Sequence, residues 1–240
     1  MNFPDLAVYL VAGRGSRLGD MTSECPKCLI TVHSVPLLTR SLRQLSHLGV
    51  KKVILVVGYR SEMFQDHYGS SYMGMDIHYV FNPDWSTTNN LVSFDLANPL
   101  IDTDYILLEG DLIYTEDAIG RMNCINSMAV APLETHMDGT VVTINEDHLV
   151  KTMYLKDNKT KYQASELLYK TVNIYCFSLS SHINVIQPEV NNHKAKGTMK
   201  IWFTNNIQKI PVKIEIVGNK ITLNAIGKRN KDYAILNTSR

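Results

Sequence analysis

Arg14, Arg17 and Lys27 are three cations set around two glycines, Gly13 and Gly15. They lie in Leu10-Val11-Ala12-Gly13-Arg14-Gly15-Ser16-Arg17-Leu18 and the later Cys25-Pro26-Lys27-Cys28-Leu29. Glycine lets a backbone approach a bulky anion and adopt positive φ without a Cβ clash. Successive main-chain N–H groups in such a loop point at phosphate oxygens. So short a loop cannot satisfy three cations internally, and the stretch reads as a polyphosphate site. A glycine turn with solvated arginines is the plainer alternative, and the placing of Lys27 after the loop argues against it. Neither common nucleotide loop is present: Gly15-Ser16-Arg17 stands where a Walker loop needs Gly-Lys-Ser/Thr, and Leu18 stands where the dinucleotide fingerprint needs a third glycine.

A second chemical group follows the apolar run Tyr105-Ile106-Leu107-Leu108, which leads into Glu109-Gly110-Asp111-Leu112. Burying either carboxylate unpaired would cost several kcal/mol, of order ~2–7 for a polar group and more for a charge. Their oxygens suit Mg²⁺, which also binds substrate phosphates. Strand alternation puts Glu109 and Asp111 on one side, with Gly110 leaving space between them. An ion pair to a lysine, or a cap for a helix at Thr115-Glu116, is the alternative.

The elements that must position these groups follow from patterning. Leu6 to Val11 reads as a buried strand. Val35-Pro36-Leu37-Leu38 opens a helix to about Leu48 with the stripe Leu38, Leu42 and Leu45, ended by Gly49. Val53 to Val57 is a second buried strand, closing at Gly58-Tyr59; Ser61 to His67 is a short helix; Ile77 to Phe81 is a third strand, stopped at Asn82-Pro83. Strand, helix and strand in this order imply right-handed crossovers and a parallel sheet, whose carboxyl ends bind ligands. Thr87-Thr88-Asn89-Asn90-Leu91 precedes a helix to about Ala97, where an Asn either caps the helix or reads a ligand. Met128 to Pro132, the turn at Asp138-Gly139, and a polar stretch from Asn145 to Lys161 suggest short antiparallel strands over the crevice. Leu168 to Phe177 is the last strongly patterned strand, with polar Lys170 and Asn173 in an apolar frame; edge exposure would also explain those two.

The totals set limits. With 240 residues, 45% hydrophobic and 20% charged, the chain suits one globular domain or one with an appendage. A net charge of +1 gives no reason to expect nucleic acid or an anionic membrane as partner. No run approaches the ~18 apolar residues of a membrane span. The 4 cysteines include Cys25-x-x-Cys28, which brackets Lys27 and has no second pair to complete a metal site. Free thiols and a cytoplasmic location are the expectation.

Leu-x-Ala-Gly-x-Gly-x-Arg-Leu followed by Pro-Lys-x-Leu resembles the signature of the sugar-phosphate-type nucleotidyltransferases. Asn89, Asn90, Leu91, Ser93 and Ala97 resemble a segment of the choline-phosphate and phosphonate cytidylyltransferases. The "EGDL" at Glu109 and the "YKTVNIY-x-FS" at Tyr169 to Ser178 are similar to the branch that activates 2-aminoethylphosphonate with CTP. The resemblance implies an α/β fold: a Rossmann-like three-layer α/β/α with a mostly parallel mixed sheet and a small β-rich acceptor or lid subregion. It implies that Arg17, Lys27 and Lys170 are catalytic and that Asp111 holds Mg²⁺. It assigns the nucleotide to Leu10, Ala12, Gly13, Arg14, Gly15, Ser16, Gly58, Asn82, Asn90 and Gly110, and the acceptor to Glu109, Asp138 and Asn173.

The implied reaction moves CMP from CTP to a small phosphonate or phosphate, with 2-aminoethylphosphonate first, phosphocholine second and a sugar 1-phosphate third. An acceptor amine calls for carboxylates or aromatic faces; Glu109, Asp138, Tyr175 and Trp85 are available. A non-catalytic nucleotide-binding module is the reading from another class, and a homodimer stays open. The resemblance covers about Ala7 to Ser178, which sets the expected domains at 1–178 for the catalytic core and 179–240 for a divergent segment, with completion of the same domain by that segment left open. The family's C-terminal aspartate, a second metal ligand, has no clear counterpart; Asn205-Asn206, Asp232 and Asn237 are the stand-ins.

Overall fold

The computed structural model describes residues 3–123, 126–146, 149–154, 167–181, 183–185, 200–203, 212–215, 220–221, 226–230 and 233–237. The chain divides into two compact units, Met1–Asn123 and Cys124–Arg240. This division lies upstream of the expected one after 178. The physical reason is pairing: the strand ending at Phe177 bonds to one starting at Ser127, and that strand bonds in turn to Tyr233–Asn237. The tail is therefore woven into the same sheet as the middle of the chain.

The first unit contains β1 (Leu6–Leu10), the short β2 (Thr31–Val32) and β3 (Val35–Pro36), α1 (Leu37–His47), β4 (Lys52–Val57), α2 (Glu62–Tyr68), β5 (Ser71–Tyr72), β6 (Met75–Phe81), α3 (Asn90–Ala97), β7 (Tyr105–Glu109) and α4 (Glu116–Gly120). Its sheet runs β7-β1-β4-β6-β5, parallel except for the antiparallel edge strand β5. The apolar strands β1 and β4 are buried almost throughout, as expected of parallel strands covered on both faces. Leu38, Leu42 and Leu45 of α1 are fully buried, and Gly49 at φ 89° follows its last turn. The helix starts two residues later than the sequence suggests. Val35 and Pro36 instead pair with Thr31 and Val32 around a turn at His33 and Ser34.

The parallel register matters for function. Leu10 sits between Val56 of β4 and Glu109 of β7. The segments that follow β1, β4 and β7 thus leave the sheet at the same edge. Val11 N–H donates to Val56 O, Tyr59 N–H to Ala12 O, and Asn82 N–H to Val57 O, which fixes the exits of β1, β4 and β6 against one another.

The second unit contains β8 (Ser127–Pro132), β9 (Val141–Ile144), β10 (Val150–Tyr154), β11 (Leu168–Phe177), β12 (Ile183–Val185), β13 (Lys200–Phe203), β14 (Val212–Glu215), β15 (Lys220–Ile221), β16 (Ile226–Asn230) and β17 (Tyr233–Asn237). All pairings within it are antiparallel: β15-β10-β9-β11-β8-β17-β16, with β12-β13-β14 as a separate sheet. Met128, Val130, Val142, Val150 and Tyr169 form a core cluster, with Tyr175 packed against it. The mostly parallel mixed α/β class read from the sequence is the one observed. Among the described residues, no helix is long and apolar enough to cross a membrane.

Candidate active site

The glycine loop leaves β1 as an open turn and enters a short 3₁₀ run, Ser16–Thr22, interrupted at Gly19. Gly15 has φ 80° and ψ 43°. A Cβ there would lie 2.7 Å from Lys27 Cβ and 2.8 Å from its Cδ, so the bare backbone gives the lysine stem its place. From that position the Lys27 ammonium donates to Asp111 Oδ2. The cationic turn and the acidic tip of β7 therefore meet. The ion pair offered above as the plainer reading of Asp111 is also real, and Lys27 is its partner.

The other glycines divide into two kinds. A Cβ on Gly110 would run into Val11 Cγ1, and one on Gly58 would lie 2.5 Å from Trp85 Cβ and 2.8 Å from Ala12 O. Packing requires both. A Cβ on Gly13 would meet nothing within 4 Å, and its φ is not in the left-handed region. Packing does not account for Gly13, whose outer side is open.

Arg14 donates from Nε to Thr22 O at 3.2 Å, and its guanidinium lies 5.6 Å from the centre of the Tyr59 ring. Leu10 is half-buried at the end of β1, and Ala12 is buried. Ser16 and Arg17 are exposed, and the Arg17 guanidinium has no hydrogen-bond or ion-pair partner among the described residues. Asn82 is buried, and its amide is committed within the fold: Nδ2 donates to Ser93 Oγ at 3.0 Å and to Thr88 Oγ1 at 3.2 Å, while Oδ1 accepts from Asp84 N–H at 2.9 Å. Its observed work is to hold the 84–93 turn. Asn89 takes the cap of α3, accepting from Leu91 N–H at 3.0 Å. Asn90 is thereby left to reach across to β7, where Nδ2 donates to Glu109 Oε1 at 2.9 Å.

Two aromatic residues around this site were not singled out as ligand-facing by the sequence. Tyr59 supports Arg14, stands 5.2 Å from the Trp85 ring centre, and donates its hydroxyl to Ser23 O. Tyr114 donates to Glu109 O at 3.0 Å, and burial pushes its phenol pKa well up, so it acts as a fixed donor. A tyrosine just beyond a strand's carboxyl end was the available signal for Tyr59. Cys25 and Cys28 are both free, and burial raises both thiol pKa values, which keeps them protonated beside Lys27.

In the second unit, Lys170 and Gly139 are neighbours: a Cβ on Gly139 would lie 3.2 Å from Lys170 Cε, and Lys170 Nζ donates to Thr171 O at 2.6 Å. Asp138 is exposed in the turn before Gly139. Asn173 is half-buried with its amide oxygen 3.4 Å from Thr171 Oγ1. Of the C-terminal stand-ins, Asn237 pairs with Ser127 at the end of β17, while Asn205, Asn206 and Asp232 lie outside the described residues. Cys124 lies outside them too.

The metal expectation can be set against the donors. No group of three or more His, Cys, Asp or Glu converges among the described residues. Asp111 nonetheless offers hard oxygen: Oδ2 is held by Lys27, and Oδ1 accepts no hydrogen bond from a described residue. One carboxylate completed by phosphates and water is a normal Mg²⁺ arrangement, so the residues fit that ion.

Residues 7–144 match the MobA-like NTP transferase domain. The chain belongs to that family. The NTP transferase chain is 42% identical over 180 residues, 72% of its length, to CMP-5'-(3-aminopropyl)phosphonate synthase of Streptomyces rubellomurinus. It is 33% identical over 101 residues, 42% of its length, to a choline-phosphate cytidylyltransferase of Streptococcus pneumoniae. The matched stretches span 28% and 42% of those two relatives, so the chain covers less than half of either. Among solved structures, the NTP transferase fold is shared with the inositol-1-phosphate CTP transferase from T. maritima, at a TM-score of 0.56 and 21% identity over 72% of this chain and 70% of that one.

Proposed function

We propose that the chain transfers CMP from CTP to a small aminoalkylphosphonate, 2-aminoethylphosphonate before its longer homologue, with release of pyrophosphate. The observation that carries the reading is the bridge from Gly15 through Lys27 to Asp111. It brings a cationic glycine loop and an oxygen donor within the span of one triphosphate. The name of the 42% identical relative supports both the CMP group and the aminoalkylphosphonate. The open outer side of Gly13 supports the placing of phosphates on the loop.

In this reading an oxygen of the acceptor's phosphonate attacks the α-phosphorus in line. A P–O bond to the acceptor forms as the bond to the bridging oxygen of pyrophosphate breaks. The acceptor is already anionic, so no strong general base is required. Lys27 and Arg17 stabilise the charge that grows on the phosphate oxygens. Mg²⁺ held by Asp111 would neutralise the triphosphate further. Lys170 is assigned to the acceptor's anionic group, and Asp138 and Glu109, the latter oriented by Asn90, are the carboxylates available to an acceptor amine.

The test is a matrix of the four NTPs against 2-aminoethylphosphonate, 3-aminopropylphosphonate, phosphocholine and glucose 1-phosphate, with and without Mg²⁺, read as pyrophosphate release. CTP with an aminoalkylphosphonate is expected to give the highest kcat/KM. Faster turnover with phosphocholine or the sugar phosphate would move the acceptor assignment. CTP binding without pyrophosphate release from any pair would replace catalysis with a nucleotide-binding role.

A further inference from the structure

Strand β11 is interrupted beside Lys170. Thr171 is opposite Val130 on β8, yet the next pair is Tyr175 with Met128. Three residues, Val172, Asn173 and Ile174, thus stand against the single residue Ala129. The middle one carries φ 56°, the left-handed region that side chains other than glycine rarely adopt. Asn is the residue type that tolerates it best, because its short amide bonds locally. Bulges of this kind re-aim neighbouring groups and recur beside active sites.

What the bulge re-aims here is Thr171. Its N–H and its hydroxyl both point at Thr140 O, each at 3.2 Å, and its Oγ1 lies 3.4 Å from the Asn173 amide oxygen. Its carbonyl receives the Lys170 ammonium at 2.6 Å, against the bare backbone of Gly139 at φ 111°. The Lys170 head group is therefore placed by a neutral carbonyl whose direction depends on the first step of the bulge.

We propose that Asn173 is a positioning residue: its left-handed backbone holds the bulge that turns the Thr171 carbonyl towards Lys170 and so sets where that ammonium meets the acceptor's anionic end. The inference rests on the reading of Lys170 as acceptor-facing. It assigns Asn173 a task carried by its backbone, beyond any contact its amide makes.

Asn173→Gly keeps the left-handed conformation and loses the amide; Asn173→Val disfavours the conformation, and Asn173→Ala does so more mildly. The readouts are KM for acceptor and for CTP, and the acetylation rate of Lys170 by acetic anhydride followed by peptide mass spectrometry. Asn173→Gly is expected to keep the Lys170 acetylation rate within about threefold of the parent's and to raise acceptor KM less than Asn173→Val does. Asn173→Val, or Asn173→Ala where the valine variant does not fold, is expected to raise acceptor KM about tenfold or more, as a small misplacement does. CTP KM should stay within about twofold. Lys170 should acetylate several-fold faster once its ammonium leaves the carbonyl. Combining the substitution with Lys170→Met should add nothing to Lys170→Met alone. An unchanged acetylation rate in a folded Val or Ala variant overturns the proposal, and so does a glycine variant as impaired as the valine one. If Lys170→Met itself leaves acceptor KM unchanged, the acceptor-facing reading fails, and the acetylation rates still decide whether Asn173 places Lys170.

Discussion

Two lysines of this chain lie against positive-φ glycines, and the contacts differ at both ends. Lys27 is pressed at its stem: a Cβ on Gly15 would sit 2.7 Å from Lys27 Cβ, and the ammonium ends on the Asp111 carboxylate. Lys170 touches glycine only near its tip, with 3.2 Å from Cε to a Cβ on Gly139, and its ammonium ends on the carbonyl of the next residue. The first lysine is fixed by contacts distant in sequence and belongs to the fold of its unit. The second bonds to the strand that carries it and lies against the turn at Gly139. Lys27 and Asp111 keep 30% and 28% of their side-chain surface exposed, so their pairing contributes up to about 1 kcal/mol. A triphosphate can displace a contact that weak. Under the proposed function, the pair is the resting position of a cation awaiting phosphate.

The largest effect is expected where that cation is removed. Lys27→Ala should reduce turnover by on the order of a hundredfold to a thousandfold, the cost of deleting one preorganised charge stabiliser. Its folding free energy should change by no more than about 1 kcal/mol. Pyrophosphate release and chemical denaturation measure the two, and turnover within about threefold of the parent would detach Lys27 from the chemistry. Asp111→Asn keeps the shape and removes the charge. It is expected to lose activity comparably and to flatten the dependence of rate on Mg²⁺ concentration, and a retained Mg²⁺ response would move the metal elsewhere.

The glycines sharpen the contrast between stem and tip. Gly15→Ala forces a side chain into the left-handed region, about 1–2 kcal/mol, and drives it into a stem that cannot swing aside. Stability and turnover should fall together. Gly139→Ala carries similar backbone strain but meets only the mobile end of Lys170, so its loss of turnover should be the smaller. Gly13→Ala meets no neighbour and needs no unusual φ. Its melting temperature should match the parent's while KM for CTP rises by about tenfold. An unchanged KM would place the phosphates off the loop.

Much of this arrangement was legible in the sequence because it lies on strand ends. Parallel pairing carries Leu10, Val56 and Glu109 into one register, so residues just beyond three apolar runs had to share an edge. The glycine loop and Asp111 follow from that rule, while Lys27, in the turn Lys27–Leu29, reaches that edge through its stem against Gly15. Asn82 does not, because its use is decided by where Ser93 and Thr88 come to lie, and an Asn before a proline reads the same whether it faces ligand or core. The start of α1 was misplaced because Val35-Pro36 suits a helix N-terminus as well as a two-residue ladder, and the turn at His33 and Ser34 selects the ladder. The pairing of the tail was not legible because long-range antiparallel pairing leaves no local trace: nothing in Tyr233 to Asn237 announces β8 as its partner.

The smallest expected effects separate the adjacent pair Asn89 and Asn90. Asn89 accepts from Leu91 N–H and closes the first turn of α3; Asn90 spends its amide on Glu109 across the site. Asn89→Ala should cost about 1 kcal/mol of stability, the usual value of a lost cap, with kinetic constants unchanged. Asn89→Ser should restore most of it, since serine caps nearly as well. Asn90→Ala leaves the cap in place, so its stability should shift by less. Releasing Glu109 to other rotamers should raise acceptor KM several-fold while KM for CTP holds. The two substitutions remove the same amide one residue apart, so the contrast isolates position from chemistry. If both variants lost stability equally and neither altered acceptor KM, Asn90 would be a structural residue of the α3 entry, and the link from α3 to the tip of β7 would carry no specificity.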